Sequence, residues 1–251
     1  MQKGSVSIEI KETIAIVEFE HPASNSLPSD LLNRLTNAFL DLSTNKNINV
    51  IILKSKGNKT FCAGASFNEL IAIENLKNGI AFFSGFANVI NTMRTCNKLI
   101  IGQIQGKAVG GGVGLIAACD YALATEEASV KLSEISIGIG PFVIEPAITR
   151  KIGVAATTAM TLEATDWKTA HWAKDKGLYA KVFKTKDELK KETECFAKKL
   201  ASYNPEGLTA LKNIFWQNTK DWPKLLNERA RISGELVLSD FTKKALAKFK
   251  K

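Results

Sequence analysis

Three short stretches carry groups that could do chemistry. The first is Gly106-Lys107-Ala108-Val109-Gly110-Gly111-Gly112-Val113-Gly114-Leu115-Ile116-Ala117-Ala118-Cys119-Asp120, in which five of fifteen residues are glycine. A strand-like run, Leu99–Ile104, precedes it, and residues 115–119 read as an apolar helix, so the glycines fall at a strand-to-helix turn. The first amides of a helix lack intrahelical acceptors, and without a Cβ in the way a ligand oxygen can approach them. The second stretch, from Thr60 through Gly64-Ala65-Ser66 to Leu70, is another small-residue turn opening towards a helix. The third is Glu134, set between the apolar runs 130–132 and 135–139. Desolvation there would disfavour its charged form and bring its pKa towards the range useful for proton transfer. A turn acid or helix cap is the plainer reading of Glu134, and the same holds for Glu145, a weaker second candidate before Pro146.

The glycines admit three readings: tight packing, a phosphate cradle, or an oxyanion site whose amides stabilise a developing carbonyl negative charge. A phosphate cradle fits poorly, because neither Gly-Lys-Ser/Thr nor the dinucleotide spacing with its distal acid is present. Other chemistries are poorly served. The histidines are His21 and His171, and neither accompanies a Gly-x-Ser-x-Gly elbow. No His, Cys, Asp and Glu cluster has metal-ligand spacing, so no metal site is expected. Cys62, Cys96, Cys119 and Cys195 are widely spaced and read as reduced core residues.

The elements that must position these groups follow an α/β pattern. With 251 residues, 45% of them hydrophobic, the chain can bury one large core. Residues 6–19 read as a β-hairpin, followed by the loop 21–28 and a helix from about Ser29, a candidate N-cap, with Leu31, Leu35, Phe39 and Leu42 on one face. Strands are expected at 50–53, 99–104, 121–124 and 130–132, with helices at 81–94 and from about Glu145. This recurring ββα order argues for an α/β core. The last quarter is helical: Thr185 to Glu188 has the form of a capping box, Asn204-Pro205-Glu206 starts another helix ending at Ile214-Phe215-Trp216, and a third begins near Pro223. Its apolar faces call for burial against the core or another subunit. The expected division is residues 1–190 as core with the site and 191–251 as the helical region. The net charge of +9 points to an anionic partner. No signal-peptide core or membrane-length apolar run is present, so a cytoplasmic protein is expected.

Two glycine turns and one semi-buried glutamate, in this order and spacing, resemble the enoyl-CoA hydratase/isomerase (crotonase) family over essentially the whole chain. The resemblance implies a spiral of ββα units, a helical C-terminal oligomerisation region, and trimers often paired into hexamers. It implies that the N–H groups of Ala65 and Gly111 form an oxyanion hole for an acyl-CoA thioester, with Glu134 in Leu132-Ser133-Glu134-Ile135 as the catalytic carboxylate. It places the coenzyme A moiety of the substrate at Ala23, Ser24, Asn25, Leu27, Cys62 and Ala63, with its phosphates met by Lys248 or Lys251, from this chain or a neighbour. No separate cofactor is expected.

The sequence departs from the family's pattern at two positions. Ser66 stands where an aspartate is common, and Gly114 stands where hydratases carry a first glutamate. One remaining base suffices to move a proton between two carbons, as a Δ3,Δ2-enoyl-CoA isomerase requires, whereas hydration usually shares its water between two carboxylates. The wording Gly-Gly-Gly-Val-Gly-Leu with Leu-Ser-Glu is nevertheless similar to a bacterial branch assigned to methylglutaconyl-CoA hydratases. Hydration of a 2-enoyl-CoA is therefore the expected reaction, with isomerisation as the alternative. A non-catalytic acyl-CoA- or RNA-binding protein is the third reading. No aromatic–basic platform of an RNA module is evident, so nucleic acid is not the expected partner.

Overall fold

The computed structural model describes residues 3–248. In chain order the strands are β1 (Ser5–Lys11), β2 (Ile14–Glu20), β3 (Val50–Ser55), β4 (Thr60–Cys62), β5 (Leu99–Ile104), β6 (Lys107–Val109), β7 (Tyr121–Thr125), β8 (Val130–Lys131) and β9 (Lys181–Phe183). The helices are α1 (Ser29–Thr44), α2 (Phe67–Ile71), α3 (Leu76–Thr95), α4 (Gly111–Ala118), α5 (Glu145–Leu162), α6 (Ala170–Asp175), α7 (Lys186–Ala201), α8 (Pro205–Phe215), α9 (Trp222–Leu236) and α10 (Asp240–Ala247), with a 3₁₀ turn at Glu134–Ile137. As expected, this is a mixed α/β fold.

A six-stranded sheet runs in the order β1-β2-β3-β5-β7-β9. Only the β1–β2 hairpin is antiparallel; from β2 onward every pairing is parallel. Parallel strands covered on both faces need apolar residues on both, and Val50-Ile51-Ile52-Leu53 meets that need with every side chain buried. One face carries the main core; on the other, Ile14, Ile16, Val50, Ile52, Ile101 and Leu123 meet Leu189 and Ala197 of α7.

A second sheet, β4-β6-β8, positions the site. Its strands are two or three residues long and all parallel, pairing Cys62 with Ala108 and Val109 with Lys131. The buried Gln105 side chain ties the two sheets together, donating to the carbonyls of Ser55, Gly57 and Thr60. Strands this short lack periodicity, and β4 and β6 were not expected from the sequence.

The capping box at Thr185 and Glu188 and the Asn204 cap with Pro205 at the first turn form as expected. Ser29 does not cap α1. Pro28 holds that position, and the Ser29 hydroxyl and N–H instead donate to Glu69 Oε2 at 2.7 and 2.9 Å, which supplies the helix start with a carboxylate from α2. Residue 190 lies inside α7, and α9 packs along α3 through a close approach of Gly79 and Gly234, so the helical end is joined to the front half. Leu211, Ile214, Phe215 and Phe241 remain exposed. No described helix is long and apolar enough to cross a membrane.

Candidate active site

The three stretches singled out in the sequence all leave the same edge of the small sheet. Ala63-Gly64-Ala65 follows β4, Gly110-Gly111 follows β6, and Ser133-Glu134 follows β8. Parallel strands deliver their following loops to one side, which is why open parallel sheets bind ligands at their carboxyl ends. Gly110 N–H donates to the Lys131 carbonyl at 2.9 Å, fixing the glycine turn to the end of β8 and bringing Glu134 beside it.

Two glycines make the turns possible. Gly64 has φ +86° and Gly110 φ +51°, in the region that side chains other than glycine rarely occupy. A Cβ on Gly64 would stand 2.8 Å from the Val109 carbonyl and 3.5 Å from Gly111 N, so the two turns are in contact. The Gly64 carbonyl is taken by Leu27 N–H at 2.8 Å, and Ser66 N–H donates to the Leu27 carbonyl at 3.3 Å. Ala65 N–H, between them, has no acceptor among the described residues. Gly111 opens α4, where an N–H has no intrahelical partner. The Ala65 and Gly111 amides thus remain free to meet a ligand oxygen, with the positive end of α4 behind one of them.

Glu134 begins the 3₁₀ turn, which ends at Gly138 in a left-handed conformation. Its carboxylate lies against Gly110, where a Cβ would meet Oε1 at 2.4 Å. The residue is half-buried, but Oε2 is sealed from solvent and has no hydrogen-bond partner among the described residues. Burial pushes the carboxyl up to about 7, against the partial opposition of the Glu134 and Ser133 backbone amides. The group is therefore poised to exchange a proton near neutral pH.

Two small apolar cavities flank these groups and share Ala65, Phe83, Gly111 and Glu134. One, of about 50 Å³, is walled by Phe86, Phe142 and Ile144; the other, of about 60 Å³, by Phe67, Leu70, Ile137 and Ile139. Glu134 is the one carboxylate lining either among the described residues. At Gly114, a Cβ would meet Ile144 Cγ2 at 2.5 Å, so an apolar side chain fills the space into which a second carboxylate would project. Sequence reasoning missed Ile144, which lies thirty residues from Gly114 and joins it only through packing of α4 on α5. Glu145 lies apart from these cavities, bonded to Thr149 and 4.0 Å from Arg229.

The residues expected at the coenzyme A moiety divide. Ala23 and Ser24 are exposed and Ala63 is half-buried, and Ala63 N–H donates to the Ser24 carbonyl at 3.1 Å, which brings the two segments together. Asn25, Leu27 and Cys62 are buried. Asn25 donates to the Lys56 and Thr60 carbonyls, and burial raises the Cys62 thiol to about 12. Their side chains hold the loop in place. Lys248 is exposed at the end of α10, whose Phe241 and Thr242 pack on Gly138 in the same chain; Lys251 lies outside the described residues.

Residues 9–250 match the family model described as enoyl-CoA hydratase/isomerase. The chain belongs to that family. It is 25% identical to a probable enoyl-CoA hydratase of Bacillus subtilis over 98% of this chain and 95% of that one. It is 30% identical to a peroxisomal Delta(3,5)-Delta(2,4)-dienoyl-CoA isomerase of Arabidopsis thaliana, covering 84% of this chain and 82% of that one. The structure of an enoyl-CoA hydratase from Bacillus halodurans superposes with a TM-score of 0.90 at 22% identity, over 97% of this chain and 99% of that one, which shows the same fold. The chain is thus an enzyme of the hydratase/isomerase class with the family's fold.

Proposed function

We propose that this enzyme shifts a double bond within an acyl-CoA thioester, converting a 3-enoyl-CoA to a 2-enoyl-CoA. Ala65 and Gly111 N–H groups hold the thioester oxygen. The Glu134 carboxylate removes a proton from C2, and the electron pair delocalises into a dienolate whose oxygen those amides stabilise. Glu134, now protonated, returns the proton to C4, and the double bond settles between C2 and C3. A carboxyl whose pKa lies near 7 can perform both halves of this transfer.

The observation that carries this reading is Ile144 packed over Gly114. It leaves one carboxylate, where activation of water is usually shared by two, and reverses the order in which the sequence placed hydration and isomerisation. Hydration of a 2-enoyl-CoA is the second reading, favoured by hydratase names among the relatives. Incubation with 3-enoyl-CoA and separately with 2-enoyl-CoA separates them. Isomerisation gives 2-enoyl-CoA from the first and no 3-hydroxyacyl-CoA from either; rapid 3-hydroxyacyl-CoA formation from the second would sink the proposal.

In the same reading the coenzyme A moiety runs past Ala23, Ser24 and Ala63, with Lys248 near its phosphates. The exposed Leu211 and Ile214 support assembly as a trimer or a pair of trimers.

A further inference from the structure

At the end of α4 remote from the glycine turn, a cavity of about 560 Å³ is lined by Asp120, Arg150, Lys151, Phe215 and Trp216. The proposed reaction makes no use of it. Asp120, the one carboxylate lining it among the described residues, is fully engaged. Asp120 Oδ2 accepts the Ile100 N–H at 2.7 Å and pairs with Lys212 Nζ at 2.9 Å, while Oδ1 accepts Trp216 Nε1 at 2.7 Å. Lys212, whose side chain is 1% exposed, also donates to the Lys98 carbonyl at 2.7 Å.

The other two cations have no such partner. Lys151 Nζ donates to the Asp120 backbone carbonyl at 3.0 Å, and Arg150 donates to the Phe215 carbonyl and stacks 5.6 Å from the Trp216 ring centroid. Neither forms an ion pair among the described residues. Three cations therefore face a single carboxylate that one of them already neutralises. Burial pushes the Lys151 amine below its ordinary value, the direction expected of a charge short of a counterion.

We propose that this cavity binds a small organic anion, its phosphate or carboxylate group between Lys151 and Arg150 and its apolar portion against Phe215 and Trp216. Arginine's planar fork suits such oxygens, and the volume falls in the range of small-molecule sites. The same cations could be met instead by an acidic side chain of a second copy of the chain.

Phenyl phosphate is the probe, titrated calorimetrically at constant ionic strength, with inorganic phosphate and benzyl alcohol as controls for its two halves. The expected result is saturable binding at least about tenfold tighter than either control. Lys151→Met should weaken it by about tenfold or more, with Arg150→Lys as a gentler second variant and Lys46→Met, at an exposed site elsewhere, leaving it unchanged. Equal affinity in wild type and Lys151→Met, or no saturation by about 10 mM probe, overturns the proposal. If the probe fails to bind and Lys151→Met lowers the mass of the assembly, the cations serve another copy's carboxylate, and the small-molecule site falls.

Discussion

Helix α4 has a buried carboxylate near each end, and the two are treated in opposite ways. Asp120, beyond its C-terminus, receives a backbone amide, an indole N–H and a buried ammonium. Glu134, beside its N-terminus, has an oxygen sealed from water with no donor aimed at it. A buried charge that is paired and hydrogen-bonded holds a fold together, whereas one whose burial outweighs the donors it receives is driven towards its neutral form. The contrast sets a carboxylate tied into the fold apart from one poised to exchange a proton, without reference to either residue's position in the sequence.

The sharpest break in this comparison is Glu134→Gln. The shape at Gly110 is retained while the proton acceptor is lost, so turnover should fall about a thousandfold with coenzyme A ester binding and folding intact; a loss under about tenfold would contradict the assignment. Asp120→Ala should do the reverse. It strands Lys212 in the interior, and denaturant titration should show a loss of about 3–5 kcal/mol, with turnover per folded molecule largely kept. Wild-type stability in that variant would mean that the Asp120 pairing is not structural.

The sequence made the groups of the candidate site more legible than their surroundings. Gly64-Ala65, Gly110-Gly111 and Glu134 were recognisable because turns and semi-buried acids leave local marks, and the helix starts at Thr185 and Asn204 were equally local. The small sheet that collects the three turns was not legible, since two- and three-residue strands carry no period. Nor was Ile144, whose effect depends on how α4 meets α5. Gly114 alone said that a carboxylate was missing; only the packing says what fills its place. Ser29 shows the same limit, its cap-like sequence put to a different use by Glu69 from a distant helix.

A smaller effect tests Glu134 through stability. Its carboxyl rises from 4.5 to about 7 on folding, so the protonated form favours the native state fully below about pH 4.5, and that contribution is lost as pH rises through 7. Relative to wild type, Glu134→Gln should therefore gain on the order of 1–3 kcal/mol at pH 8 and gain little at pH 4, as read from denaturation midpoints. A pH-independent difference would mean that the carboxyl is solvated. Smallest is Lys248→Glu: the KM for coenzyme A esters should rise by about two- to fivefold with kcat unchanged, and an unaltered KM removes Lys248 from the phosphate site.

The single-carboxylate shuttle is tested most directly by following the proton and the oxygen together. The substrate is a 3-enoyl-CoA carrying deuterium at C2, turned over in water enriched in heavy oxygen. One glutamate that takes and returns the same proton, sheltered from solvent, should give 2-enoyl-CoA with part of the deuterium at C4 and no heavy oxygen in the acyl chain. A 3-hydroxyacyl-CoA bearing heavy oxygen at C3 as the main product would contradict it.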